Sequence, residues 1–89
     1  MLCETVEIIN ELGLHARAAA KFVECTAHFE SSFKVRKESR EVDGKSIMSV
    51  MMLAASKGTT LEIQVEGPDE EEALAALLTL INNKFDEEN

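Results

Sequence analysis

Eighty-nine residues carrying 45% apolar side chains and a formal net charge of −8 are expected to form one domain over 1–89, large enough to hold a core without staples. There is no Trp or Tyr, only four Phe, and no basic stripe, which excludes the usual nucleic-acid surfaces. No run reaches the roughly 18 apolar residues of a spanning helix, so no membrane insertion is expected.

The start, Met1-Leu2-Cys3-Glu4, lacks the basic residues that open a signal peptide, and a cytoplasmic location is the expectation. In that compartment Cys3 and Cys25 are expected to stay reduced, with Cys25 serving as a small helix hydrophobe. The first strand is predicted from about Leu2 to Ile9, with Leu2, Val6 and Ile8 on its inner face by period-2 alternation. Leu12-Gly13-Leu14-His15-Ala16-Arg17 then joins this strand to a helix predicted over about Ala16 to Ala27. Ala19, Phe22, Val23 and Thr26 share one stripe of that helix, while Ala18 reads as a plain helix former.

His15 falls at the helix start, where backbone N–H groups lack intrahelical partners and the macrodipole favours negative charge. Taken alone, such a histidine is more often a surface or capping residue. Two neighbours and one absence favour chemistry. Gly13 permits a turn that presents the imidazole, and Arg17 offers a forked donor for phosphate oxygens. No Ser/Asp pair or metal-spaced His accompanies His15, so nothing is set to activate water. A nucleophilic imidazole beside an anion seat, with no hydrolytic partner, suits a phosphoryl group carried on histidine. His28, just past the helix, reads as a polar exit residue.

Ser32 to Lys37 and Arg40 to Val42 form a predicted antiparallel hairpin around Glu38-Ser39, with Phe33 and Val35 inward. Asp43-Gly44 ends it, and Ser46 stands in the N-cap position of a second helix running from Ile47 to Ala55. Serine alone interrupts the apolar residues of that helix. If Val50, Leu53 and Ala54 face the core, some of Ile47, Met48, Met51 and Met52 must face solvent, and a methionine patch adapts readily to partners. Thr60 to Glu66 alternates as the fourth strand, with Leu61, Ile63 and Val65 inward. Asp69 with Glu72 has capping-box spacing for a third helix, whose core stripe is Leu74, Leu77, Leu78 and Ile81. Glu70 and Glu71 complement the helix dipole, so this acid cluster reads as structural, with no metal site. Asp86 to Asn89 is expected to be a frayed acidic tail.

The resulting β-α-β-β-α-β-α order predicts an α+β open-faced two-layer sandwich: four mostly antiparallel strands with three helices on one face. Periodicity leaves the strand order open.

The chain resembles the HPr family, histidine-containing phosphocarriers of the bacterial phosphotransferase system. Gly13-Leu14-His15-Ala16-Arg17 matches the family's phosphorylation-site motif and Lys45-Ser46-Ile47-Met48-Ser49-Val50-Met51 its regulatory segment. The resemblance implies a phosphocarrier, not an enzyme, whose His15 accepts a phosphoryl group on Nδ1 from enzyme I and passes it to an EIIA-type protein. It further implies phosphate binding by Arg17 and the N–H groups of Ala16, Arg17 and Ala18. Ile47, Met48 and Met51 would be the docking patch, and Ser46 the target of an HPr serine kinase/phosphorylase. A monomer without cofactor or metal is implied as well. Ala18 stands where the family usually has proline, which alters preorganisation of the first helical turn. Leu12, the Gly67 to Leu74 segment and the Phe85-Asp86-Glu87 ending are similar to the nitrogen-related branch, whereas Asp43 to Met48 is similar to kinase-regulated relatives; both branches stay open. Two other functions compete: a regulatory module docking partners through the methionine patch without phosphotransfer, and a small phosphate-handling enzyme.

Overall fold

The computed structural model describes residues 1–88. Its elements are β1 (Leu2–Glu7), α1 (Ala16–Thr26), β2 (Ser32–Lys37), β3 (Arg40–Asp43), α2 (Ile47–Met52), β4 (Thr60–Glu66) and α3 (Glu70–Asn82), followed by a short turn at Lys84–Asp86. All strand pairings are antiparallel, in the order β1-β4-β2-β3. β4 is thus a central strand, and its alternation shows it: Leu61, Ile63 and Val65 are fully buried beneath the helices. Val35 faces Ile63 and Phe33 faces Val65 across the β2–β4 ladder, so the inner-face residues form rows that the helices cover. The opposite face stays open, where Arg36 lies 3.4 Å from Glu41 and 3.6 Å from Glu62. Exposed pairs of this kind contribute little.

The core joins this sheet face to Ala18, Ala19 and Phe22 of α1, Val50 and Leu53 at α2, and Ala73, Leu77 and Ile81 of α3. Several boundaries and faces differ from the sequence reading. β1 stops at Glu7, although Ile8 remains fully buried and exchanges hydrogen bonds with Thr59 and Gly58. Ala18 is fully buried, on the face of α1 that meets the core, whereas Val23 is only partly buried. In α3 the deepest stripe is Ala73, Leu77 and Ile81, with Leu74 and Leu78 at its margin.

α2 is shorter than predicted. It ends at Met52, and Ala54 turns left-handed at φ 52°, which moves Ala54 out to solvent and returns Ala55 to the core. Its last carbonyls are claimed by cations of the hairpin: Lys37 Nζ donates to Leu53 O at 3.0 Å and Arg40 Nη1 to Met52 O at 3.1 Å. These contacts satisfy C-terminal acceptors of the helix and oppose its negative end.

Asp69 precedes α3 but makes no side-chain cap hydrogen bond. Its carboxylate instead accepts from the Ser31 hydroxyl, from Glu30 N–H at 2.9 Å and from Ser31 N–H at 3.0 Å, tying the β2 entrance to the α3 entrance. Those donors, the serine hydroxyl first, hold the Asp69 carboxyl below its ordinary 3.8. A depressed carboxyl contributes stability that is complete above its unfolded pKa and is lost as pH falls through the folded one. Asp69→Asn is therefore expected to lower Tm at pH 7 and to flatten the decline of Tm below about pH 4. Thermal melts of both proteins across pH 2–7 (approximate range) check this.

The end of the chain is ordered in a way its composition hides. Lys84, Phe85 and Asp86 are all left-handed, with φ of 58°, 56° and 63°, each costing roughly 1–2 kcal/mol. Phe85 is completely buried, which offsets a good part of that cost at about 2–3 kcal/mol. Lys21 fastens the turn from α1, donating to Phe85 O at 2.9 Å and lying 3.7 Å from Asp86 Oδ2. The expected frayed tail is thus docked through Glu87; Asn89 lies outside the described residues.

Candidate functional site

His15 is the N-cap residue of α1, in extended backbone with φ −73° and ψ 177°. Its imidazole makes no capping hydrogen bond, which removes the capping reading of this residue. The helical ladder begins with Ala19 N–H donating to His15 O at 2.8 Å. The N–H groups of Ala16, Arg17 and Ala18 precede that first bond, so the helix start presents three donors without intrahelical acceptors.

The loop that delivers His15 is pinned from both sides. Leu14 is buried and its N–H donates to Ala55 O at 2.8 Å. Gly13 is left-handed at φ 65°, and a Cβ there would stand 2.5 Å from Ala55 O and 2.8 Å from Ser56 Cα. Glycine is required by both conformation and space. Asn10, fully buried, donates from Nδ2 to Gly13 O at 2.8 Å and so closes the turn from inside.

The imidazole is half-buried, its side chain 27% exposed, because Glu87 lies against it: the Oε2 atom meets His15 Nε2. The second oxygen of Glu87 accepts from Asn10 Nδ2 at 3.1 Å. Burial would raise the Glu87 pKa. Hydrogen bonds from His15 and Asn10, with the charges of His15 and Arg17, outweigh it and leave the carboxyl below its ordinary 4.5. Among the described residues, Nδ1 of His15 makes no hydrogen bond. Arg17 is exposed and unbonded on the same terms, and lines one concavity with Leu12, His15, Ala16 and Glu87.

Asn10 and Glu87 are site residues that the sequence reading missed. Neither belongs to a local motif, and they sit 77 positions apart. The signal for Glu87 was weak but present: Phe85 is a lone aromatic in an acidic tail, and such a residue anchors a chain end when it finds the core. His28, by contrast, is exposed and only returns a ring contact to Glu24 O at 2.7 Å.

The second predicted stretch lies at α2. Ser46 is its N-cap, the hydroxyl accepting from Ser49 N–H at 3.3 Å. Ile47 is 39% exposed, Met48 66%, Met51 38% and Met52 56%, while Leu12 beside His15 is 69% exposed. α1 and α2 pack on one another, and the Leu14–Ala55 hydrogen bond ties the histidine loop to the exit of α2. α2 thus carries four exposed apolar side chains and is joined through its exit to the loop that bears His15.

Comparison with known proteins identifies the family and the fold. A family model described as the PTS HPr component phosphorylation site matches residues 2–83. The chain is similar to the phosphocarrier protein HPr of Pseudomonas aeruginosa, 58% identical over 83 residues covering 92% of each chain. It is similar also to that of Neisseria meningitidis serogroup A, 53% identical over 87 residues and 98% of each. Among solved structures, HPr-C-His from Thermoanaerobacter tengcongensis superimposes with a TM-score of 0.96 at 47% identity, covering 100% of both chains. The chain belongs to the HPr family of phosphocarrier proteins.

Proposed function

We propose that this protein relays a phosphoryl group on Nδ1 of His15, taking it from phosphorylated enzyme I and handing it to an EIIA-type protein. The observation that carries this reading is the imidazole at the head of α1, with Nε2 engaged by Glu87 and Nδ1 without a partner among the described residues. In the forward step the Nδ1 lone pair attacks phosphorus, the bond from phosphorus to its donor atom on enzyme I breaks, and that bond's electron pair leaves with the donor. The free N–H groups of Ala16, Arg17 and Ala18, together with the Arg17 guanidinium, are suited to hold the phosphoryl oxygens. The protein turns nothing over by itself; it is a stoichiometric carrier that needs no cofactor. Every group named comes from one chain, so a cytoplasmic monomer suffices.

Ile47, Met48 and Met51 form the docking patch in this reading, a soft apolar surface able to fit two different partners in turn. The family matches favour the carrier over a docking module without phosphotransfer. Incubation with enzyme I and labelled phosphoenolpyruvate tests the proposal: one acid-labile, base-stable phosphoryl group per chain is expected, and no label refutes it.

Ser46 is the proposed regulatory residue, modified by an HPr serine kinase/phosphorylase. A phosphate there would sit at the positive end of α2 at little cost to the fold, while adding about −1.5 to −2 charges beside the docking patch. Ser46→Asp is therefore expected to keep or slightly raise Tm and to slow phosphorylation of His15 by enzyme I. Rates measured at low and high salt check the cause, since repulsion through solvent shrinks with screening. A wild-type rate at low salt would leave Ser46 as a cap only.

A further inference from the structure

In the relay described so far Glu87 does no more than occupy Nε2, yet the chain end is built to deliver it. Three consecutive left-handed residues, a fully buried Phe85 and the Lys21 contact to Phe85 O bring the carboxylate over the imidazole. Its side chain is only 15% exposed. Asn10 fixes the carboxylate's orientation, and is itself fixed: both contacts of its Nδ2, Gly13 O and Glu87 Oε1, are acceptors, so only the amide nitrogen can face them. The carboxyl is held in its ionised form by hydrogen bonds that outweigh its burial. An ionised carboxylate has no hydrogen to give. The nitrogen facing it, Nε2, must be the one that carries the proton.

We propose that Glu87 is a positioning residue for His15: it holds the imidazole as the Nε2–H tautomer and screens Nε2, so that phosphoryl transfer goes to Nδ1 alone. The assignment rests on His15 being the phosphoryl acceptor. Attack through Nδ1 leaves the Nε2 proton in place and puts the ring's developing positive charge against the carboxylate. The phosphoryl group, on the other ring nitrogen, is then not the atom group that the carboxylate contacts. Without Glu87, both nitrogens would be open to a donor and the tautomer would be set by solvent.

A small donor tests this without any partner protein. Phosphoramidate transfers its phosphoryl group to imidazole: the ring nitrogen attacks phosphorus, the P–N bond breaks, and ammonia leaves with the electron pair. In a His28→Ala background, so that only His15 reports, the phosphohistidine isomers are read by phosphorus and nitrogen NMR. With Glu87 present the Nδ1 isomer is expected almost alone. Glu87→Ala should raise the Nε2 isomer's share at least severalfold and show a growing Nδ1–H population in the unphosphorylated ring. Glu87→Gln has one acceptor oxygen for the two donors that Glu87 serves, Asn10 Nδ2 and His15 Nε2–H, so its isomer ratio should fall between those of Glu87→Ala and the unaltered protein. A purely structural role for the tail would alter Tm without changing the isomer ratio. The same ratio in Glu87→Ala as with Glu87 present overturns the assignment. Should the protein take phosphate on Nδ1 from phosphoramidate but none from enzyme I, the carrier reading falls and the Glu87 assignment stands.

Discussion

His15→Ala is expected to abolish labelling by enzyme I and phosphoenolpyruvate while leaving the fold in place. The chemistry has no substitute, because His28, the only other histidine, is exposed at the far end of α1 and committed to Glu24 O. His28→Ala should accordingly label like the unaltered protein. The structural cost is bounded by what the imidazole touches. Among the described residues it makes one side-chain hydrogen bond, to Glu87, and a bond of this kind to a charged group contributes roughly 1.5–3 kcal/mol. The pair is half-exposed to solvent and the freed carboxylate keeps Asn10, so a loss near the lower bound, about 1–1.5 kcal/mol, is expected. That corresponds to a fall of roughly 5–10 °C in Tm for a domain of this size. Thermal melts beside the labelling assay separate the two roles: full labelling of His15→Ala refutes the relay, and collapse of the fold would make His15 a core residue.

How much of this was legible beforehand follows from the range over which each residue acts. β2 and β4 could be read to the residue because one face of each is buried and the alternation is unbroken. Ser46 could be placed as an N-cap because capping acts over three residues. The end of α2 could not. Its apolar run continues to Ala55, and only the requirement that Leu53 and Ala55 both reach the core forces the left-handed turn at Ala54. Asp69 shows the same limit from the other side. Its spacing to Glu72 is that of a capping box, but the carboxylate found stronger donors 38 and 39 residues earlier, at Ser31 and Glu30. Strand order, too, depends on pairings between distant segments, which no local period encodes.

The candidate site divides along the same line. His15 and Arg17, with the free N–H groups after them, occupy consecutive positions at a helix start, so local reasoning reached them. The partners that orient the imidazole come from Asn10 inside the preceding loop and from Glu87 at the other end of the chain. An acidic tail reads as solvated by default. What reverses that default here is Phe85, whose burial against the core sets the path of the two residues that follow it.

Met48→Glu is expected to weaken docking to enzyme I by at least about thirtyfold in Kd while leaving the protein's own stability nearly unchanged. Met48 is the most exposed residue of α2, at 66%, and helps to hold no part of the core. Replacing an exposed side chain away from caps and ion pairs typically changes stability by less than about 0.5 kcal/mol. In the complex the balance is different. A carboxylate at this position must shed water against an apolar surface, at a cost of at least about 2 kcal/mol. At about 1.4 kcal/mol per decade that is some thirtyfold in affinity. Glutamate also adds negative charge to a chain already at −8, which slows encounter with any acidic partner and makes part of the loss recoverable in salt. The desolvation part does not screen. Titration calorimetry at two ionic strengths, paired with denaturant melts, therefore separates the two contributions: a loss that salt fully restores would place Met48 at the rim of the interface, a loss that largely persists would place it in the desolvated centre, and unchanged affinity would remove it from the docking surface altogether.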